Sequence, residues 1–263
     1  MTLQGKSALV TGSTDGLGLA IARGLAAQGC NIVLNGLADA AHAEARRREI
    51  EADFGVRALF HDADLRRPAE IEAMTRAAAD AFGAVDILVN NAVVRHFAPV
   101  EAFPTERWDE ALAVNLSAPF HLIRLLLPQM RTRGYGRIVN ISSIHGLIAV
   151  AERVDYVSTK AGLIGMTRAV AAETVTENIT CNALCPATVP TPAIESRIVA
   201  MMERDGLSHE EATKRYLAKR QPSRRFIAPE TIAGQIVFLC SEAGAGITGA
   251  VLPLDGGWSA LAL

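Results

Sequence analysis

The sequence lacks an excess of charge of either sign. Its 26 Lys and Arg nearly balance 28 Asp and Glu, giving a formal net charge of −2, and no long run of one sign occurs. A nucleic-acid binder would usually carry a basic patch, so no nucleic-acid partner is expected. No apolar stretch of about 18 residues stands out, so no membrane span is expected. The opening MTLQGKSALVTG lacks a signal-peptide pattern, because its apolar run is short and leads into a glycine turn. Cysteine is sparse: Cys30, Cys181, Cys185 and Cys240. Without His partners near Cys181 and Cys185, no metal site is expected. Buried, reduced thiols in a cytoplasmic protein are the simpler reading. Repeats, linkers and low-complexity segments are also missing.

What is present is a core-forming chain. Half of the 263 residues are hydrophobic, which suits one large α/β domain over residues 1–263. Short apolar runs read as strands at 7–12, 31–36, 56–64, 85–91, 136–143, 179–186 and 250–255. Longer amphipathic segments lie between them, including one helix over about 106–131 and one carrying Tyr156 over about 154–173. This alternation predicts a Rossmann-like, doubly wound parallel sheet of about seven strands with helices on both faces. Residues 187–226, rich in charge, break the rhythm and are expected to form a substrate lid within the domain.

TGSTDGLGLA follows the first strand and opens the first helix. Gly12, Gly16 and Gly18 permit a tight turn and let backbone N–H groups approach a pyrophosphate at the helix N-terminus. A 2′-phosphate would need a nearby cation, and Asn35-Gly36-Leu37 supplies none at the end of the second strand. Asp15, in the turn, would repel one. NAD is therefore favoured over NADP, with Asn35 available for a ribose hydroxyl. Asp64, ending the third strand, either meets the adenine amino group or serves a cap or turn.

DYVSTK places Tyr156 and Lys160 at i and i+4, on one face of a helix. A nearby ammonium favours the phenolate and suits the tyrosine to general-base work. Alone the motif is weak. Ser143, in NISS, lies thirteen residues before Tyr156 at the carboxyl end of the fifth strand, where ligands of open parallel sheets bind. Asn115, in VNLSAP, sits in an apolar helical run and must satisfy either a structural hydrogen bond or a water.

TGxxxGxG, NNA, the helical Asn115, Ser143 and YxxxK together resemble the short-chain dehydrogenase/reductase family, over essentially the whole chain. The resemblance implies that Tyr156 is the general acid/base, that Lys160 lowers its pKa and holds the nicotinamide ribose, that Ser143 orients the substrate oxygen, and that Asn115 fixes a proton-relaying water. It implies that the dinucleotide runs along Gly12, Thr14, Asp15, Gly16, Leu17 and Gly18. Asn35, Asp64, Leu65, Asn91, Ala92, Pro186, Val189 and Thr191 would complete its site. It also implies a homotetramer, with interfaces on the helices over 106–131 and 154–173. Two family glycines are replaced, by Val93 and Ala187. A residue with a Cβ strains at positive φ, so the backbone there is either ordinary or shifted.

NIVLNG, HFAPVEAFP, HGLIA, NITCNALCP, KRQPSRRF, FLCSEAG and LDGGW are similar to stretches of D-3-hydroxybutyrate dehydrogenases. That likeness places His145, Arg153 and Trp258 in the substrate pocket. Arg95 and Arg197 stand where glutamines are usual, and Thr188 where a tryptophan is usual. If they line the pocket, the substrate is an anionic hydroxy compound larger or more charged than 3-hydroxybutyrate, since guanidinium suits carboxylate, sulfonate or phosphate. Each arginine could instead face solvent. The rivals are oxidation of a sugar, sugar acid or sulfonated sugar, NADPH-dependent ketone reduction, and a non-catalytic nucleotide-binding regulator.

Overall fold

The computed structural model describes residues 3–218 and 220–261. The strands are β1 (Ser7–Val10), β2 (Asn31–Asn35), β3 (Ala58–His61), β4 (Ile87–Asn90), β5 (Gly136–Ile141), β6 (Ile179–Pro186) and β7 (Val251–Leu254). They form one sheet in the order β3-β2-β1-β4-β5-β6-β7, parallel throughout. The helices between them are α1 (Gly16–Ala26), α2 (Ala40–Phe54), α3 (Pro68–Phe82), α4 (Thr105–Leu112), α5 (Ala118–Arg133), α6 (Val154–Glu173), α7 (Pro192–Asp205), α8 (His209–Leu217) and α9 (Pro229–Cys240).

The apolar runs become strands because both faces of the sheet are covered. Ala8 and Val10 enter one core with Ile21 and Leu25 of α1 and Ile232 and Ile236 of α9. Leu9 enters the opposite core with Met74 of α3 and Leu122 and Leu126 of α5. In β4 and β5, Val89 and Val139 join the first core and Leu88 and Ile138 the second. This two-residue alternation is strand geometry, hidden in sequence because both sides are apolar. All four cysteines are free and buried, and burial pushes the thiols of Cys30 and Cys181 up to about 12.

Three features add to the sequence reading. The helix over 106–131 is not uniform: a π-helical turn, Ala113–Ser117, separates α4 from α5 and contains Asn115. The whole stretch Thr105–Arg133 also has the length and hydropathy of a membrane span, which the sequence reading overlooked. Its apolar side chains, Leu122, Leu126 and Met130 among them, pack in the second core, as in a core helix. Finally, residues 187–226 are largely helical. α7 and α8 pack together through Ile198, Ala212, Tyr216 and Leu217, and a Ser208–Glu211 capping box starts α8.

Candidate active site

The sheet order reverses between β1 and β4, which opens a crevice beyond their carboxyl ends. The turn after β1 is built around missing side chains. Gly12 and Gly16 have φ of 61° and 55°. A Cβ on Gly18 would fall 2.0 Å from the Gly12 carbonyl oxygen, so only glycine lets α1 start this close to the turn. Asp15 occupies the N-cap of α1 without capping it. Its carboxylate turns to α2, 2.9 Å from His42 Nε2 and 3.9 Å from Arg46. The first amides of α1 are thus left without a side-chain acceptor, as an anion site at a helix N-terminus requires.

The opposite wall is tied to this turn. Asn91 donates its side-chain N–H groups to the Thr11 and Gly12 carbonyls, at 2.9 and 3.0 Å. Thr11 Oγ1 accepts from the backbone N–H of Asn91 and of Ala92. Val93 and Ala187 cause no strain, because among the described residues only Glu152 and Arg224 have positive φ outside glycine. Asn35 is used differently from the sequence expectation: its amide donates to the His61 and Ala63 carbonyls and joins β2 to β3. Asp64 follows its turn alternative. It accepts from the Arg66 backbone N–H and chelates the Arg66 guanidinium, which holds its carboxyl below the usual range. Leu17, Ala92 and Val189 are half-buried at the edge of the cores, Leu65 and Pro186 are buried, and Thr14 backs onto Gly36. Thr191 caps α7 by accepting from the Ile194 N–H.

Ser143, Tyr156 and Lys160 converge at the end of β5, all nearly inaccessible. The Ser143 hydroxyl faces the Tyr156 oxygen closely enough to favour its ionised form. Lys160 Nζ lies 5.7 Å from the Tyr156 ring centre and donates to the Ile141 carbonyl at 2.6 Å, leaving two of its three donors. Burial pushes the phenol up, but Arg95, Lys160, the Ser143 hydrogen bond and Arg153 outweigh it, and the phenol sits below its ordinary value. Burial also lowers Lys160, opposed by Tyr156 and aided by Arg95. Asn115 takes the structural alternative: it pairs with the Val94 peptide in both directions, at 2.9 and 3.0 Å, and reaches Thr159.

Around Tyr156 stand the residues expected in the pocket. The guanidiniums of Arg153 and Arg95 lie 4.6 and 5.4 Å from its ring centre. His145 packs edge-on against both Tyr156 and Trp258. Burial and then Arg153 lower the His145 pKa, which favours the neutral imidazole. Arg197 makes no direct contact with Tyr156, but it is close enough to act on Arg153 electrostatically. Thr188 meets the region through its backbone, donating to Gln221 and accepting from Ile227.

Residues 12–259 match the family model adh_short_C2, described as Enoyl-(Acyl carrier protein) reductase. The chain belongs to the short-chain dehydrogenase/reductase family. It is 46% identical to a D-beta-hydroxybutyrate dehydrogenase of Cupriavidus necator, covering 98% of this chain and 99% of the relative. A D-beta-hydroxybutyrate dehydrogenase of Rhizobium meliloti is 42% identical, covering 97% and 99%. Among solved structures, L-sorbose reductase of Gluconobacter frateurii, complexed with NADPH and L-sorbose, superposes with a TM-score of 0.91 at 32% identity over 97% of both chains.

The protein is thus an oxidoreductase acting on hydroxyl or ketone groups, of a family that uses a nicotinamide cofactor. The residues present fit that group: the glycine turn leaves room where a Cβ would close it, and uncapped amides face the crevice. Several participants escaped the sequence reading. Ser142 donates to the Lys160 carbonyl and fastens α6 to β5. Asp155, fully buried, accepts from the His96 N–H and fastens the loop carrying Arg95. The doubled serine of NISS and an Asp beside Tyr156 were the available signals.

Proposed function

We propose that this oxidoreductase uses NAD to oxidise a secondary alcohol that carries an anionic group, 3-hydroxybutyrate or a bulkier, more highly charged hydroxy compound. The carrying observation is the meeting of two sets of groups at Tyr156. Ser143 and Lys160 equip the phenol for proton transfer, and Arg95 and Arg153 line the same ring. The relatives named D-beta-hydroxybutyrate dehydrogenase support the substrate class. Bound along the crevice, the nicotinamide supplies the two-electron acceptor. The chain supplies the rest. Tyr156, its pKa lowered by its cations, takes the hydroxyl proton in its phenolate form. Ser143 orients the substrate oxygen, Lys160 keeps the phenolate charged, and the arginines fix the anionic end.

NAD is favoured because Asp15 places a carboxylate between the glycine turn and α2. The second reading is NADPH-driven ketone reduction. Arg46 and His42 beside Asp15 favour it, as does the NADPH-bound L-sorbose reductase. We place the enzyme in the cytoplasm, without membrane or nucleic-acid partners, as a homotetramer in which α5, with its exposed Phe120, and α6 form interfaces.

The test is initial-rate reduction of NAD and of NADP with D-3-hydroxybutyrate, longer hydroxy acids, dicarboxylates and sugar acids. NAD should exceed NADP at least tenfold in kcat/KM, and Tyr156→Phe should abolish turnover while NADH still binds. Turnover that survives Tyr156→Phe removes the proposed role of the phenol. A chain that binds NADH and turns over nothing is the non-catalytic rival.

A further inference from the structure

We infer that Phe97 is a positioning residue of the active site: its ring clamps the Arg153 guanidinium against Tyr156 and so keeps an anion-binding group beside the phenol. This rests on the proposed reading of Arg153 as an anchor for the anionic end of the substrate. The Arg153 guanidinium carbon lies 4.3 Å from the centre of the Phe97 ring and 4.6 Å from that of the Tyr156 ring. One cation thus sits over two aromatic faces, and each attracts it through the ring quadrupole. Phe97 is 61% exposed, so burial in a core does not account for its position. A single exposed apolar side chain is ordinary. One seated over a guanidinium by two separate ties is not.

Those ties run through the backbone on either side of it. The Ala98 N–H donates to the Glu152 carbonyl at 3.2 Å. The His96 N–H donates to the carboxylate of buried Asp155 at 3.3 Å. Residues 96 and 98 are therefore fastened to residues 155 and 152, with Phe97 held opposite Arg153 between the two ties. Glu152 has a φ of 61°, unusual for a residue with a side chain. Such strain, immediately before Arg153, marks a position that the surrounding structure enforces.

Arg153 needs a clamp of this kind. The Arg95 guanidinium also approaches the Tyr156 ring, at 5.4 Å, and repels Arg153. The Arg153 Nε is buried without an acceptor, so no hydrogen bond holds that edge. A long side chain gains rotamer freedom by turning out to solvent. Two aromatic faces oppose that turn. They do so without consuming a donor, because the five N–H groups of a guanidinium lie in its plane and remain free for an anion.

The experiment is a double-mutant cycle on Phe97→Ala and Arg153→Ala, read in two ways. The first reading is the midpoint of Tyr156 ionisation in the full chain, followed by near-ultraviolet phenolate absorbance. The spectrum of the same variant carrying Tyr156→Phe is subtracted, which removes Tyr135 and Tyr216. Tyr156 faces Arg95, Lys160, Ser143 and His145 as well as Arg153, and the cycle leaves those four in place. The second reading is KM for the hydroxy acids that the wild type turns over, at a pH above every midpoint. Thermal melting checks that each variant is folded. Phe97→Ala should raise the midpoint by at least half the shift that Arg153→Ala produces. It should raise KM about 2- to 30-fold, the range of one cation–π contact, with kcat within twofold. Both effects should vanish where Arg153 is already alanine, and Phe97→Trp, which keeps an aromatic face, should restore both readings. If Arg153→Ala changes either reading while Phe97→Ala changes neither, the clamp is overturned and the anionic-substrate reading stands. The same follows if the effect of Phe97→Ala persists in the Arg153→Ala background. If Arg153→Ala changes neither reading, Arg153 is not the anchor, and the inference falls together with that part of the proposed function.

Discussion

Replacing Gly18 by alanine tests the dinucleotide cradle most directly. The new Cβ would lie 2.0 Å from the Gly12 carbonyl oxygen and 2.6 Å from Asn91 Nδ2, whereas ordinary contact begins at 3.4 Å. The first turn of α1 must therefore retreat from the β1–α1 turn by about 1.4 Å, the difference between 3.4 and 2.0 Å. Overpacking of this kind costs about 1–3 kcal/mol. The retreat also disturbs the hydrogen bond from Asn91 to Gly12, worth about 1 kcal/mol. A total of about 2–4 kcal/mol, taken from dinucleotide affinity, weakens NADH binding about 30- to 700-fold, at about 1.4 kcal/mol per tenfold. Gly16→Ala is the control. A Cβ there meets nothing within 4 Å, and the remaining cost is the positive φ of 55°. That cost is about 1–2 kcal/mol, or about 5- to 30-fold. Titration of NADH fluorescence measures both variants, with thermal melting to separate lost affinity from lost fold. If Gly18→Ala binds NADH within threefold of wild type, or if Gly16→Ala is the more damaging, the steric account of the cradle is wrong.

Asn115→Ala leaves the N–H and C=O of Val94 without their partners in a half-buried loop. It should lower the free energy of unfolding by about 2–4 kcal/mol in urea denaturation, since each orphaned group costs about 1–3 kcal/mol before residual hydration. A loss under about 0.5 kcal/mol, the range of ordinary surface changes, would show that water replaces the side chain fully. Arg95→Ala removes the foremost cation lowering the Tyr156 phenol, so burial pushes the phenol back up. Alcohol oxidation needs the phenolate, and its rate rises as pH rises through that pKa. The acid limb of kcat/KM should therefore move to higher pH in Arg95→Ala. In Arg197→Ala it should stay in place, because Arg197 is not among the leading influences on Tyr156. An unmoved limb in Arg95→Ala would refute the coupling.

How much of this was legible in sequence depended on how far apart the cooperating residues lie. The sheet was readable because seven apolar runs each match one strand. The convergence of Ser143, Tyr156 and Lys160 was readable because they belong to one strand–helix unit, where spacing fixes geometry. The α7–α8 pair was read only as a charge-rich insertion, without its helices. Its charges hid the helical spacing of Ile194, Ile198, Met201 and Met202, which form the seam of that pair. The π turn could not be read from AVNLS, an ordinary helical sequence. It accompanies a tertiary contact, Asn115 on Val94, that spans 21 residues. The partners of Asp15 escaped for the same reason, since His42 and Arg46 reach it only after β2 pairs with β1.

Under the proposed function, the arginines would link recognition to chemistry. Arg95 and Arg153 both depress the Tyr156 phenol, and among the described residues neither forms an ion pair with a carboxylate. An anion seated on them neutralises the field that lowers the phenol, while burial, which raises it, remains. The phenolate of the free enzyme is thus easily formed and weakly basic. With the anionic end of the substrate in place it becomes a stronger base, at the moment a hydroxyl proton lies within reach. A catalytic base is most effective when its pKa approaches the working pH from the favourable side. Uncharged alcohols leave the arginines unscreened and meet the weaker base. The same guanidiniums can therefore discriminate twice, first in binding and again in proton transfer. This would be a physical reason for placing cations against the Tyr156 ring rather than at the far end of the pocket.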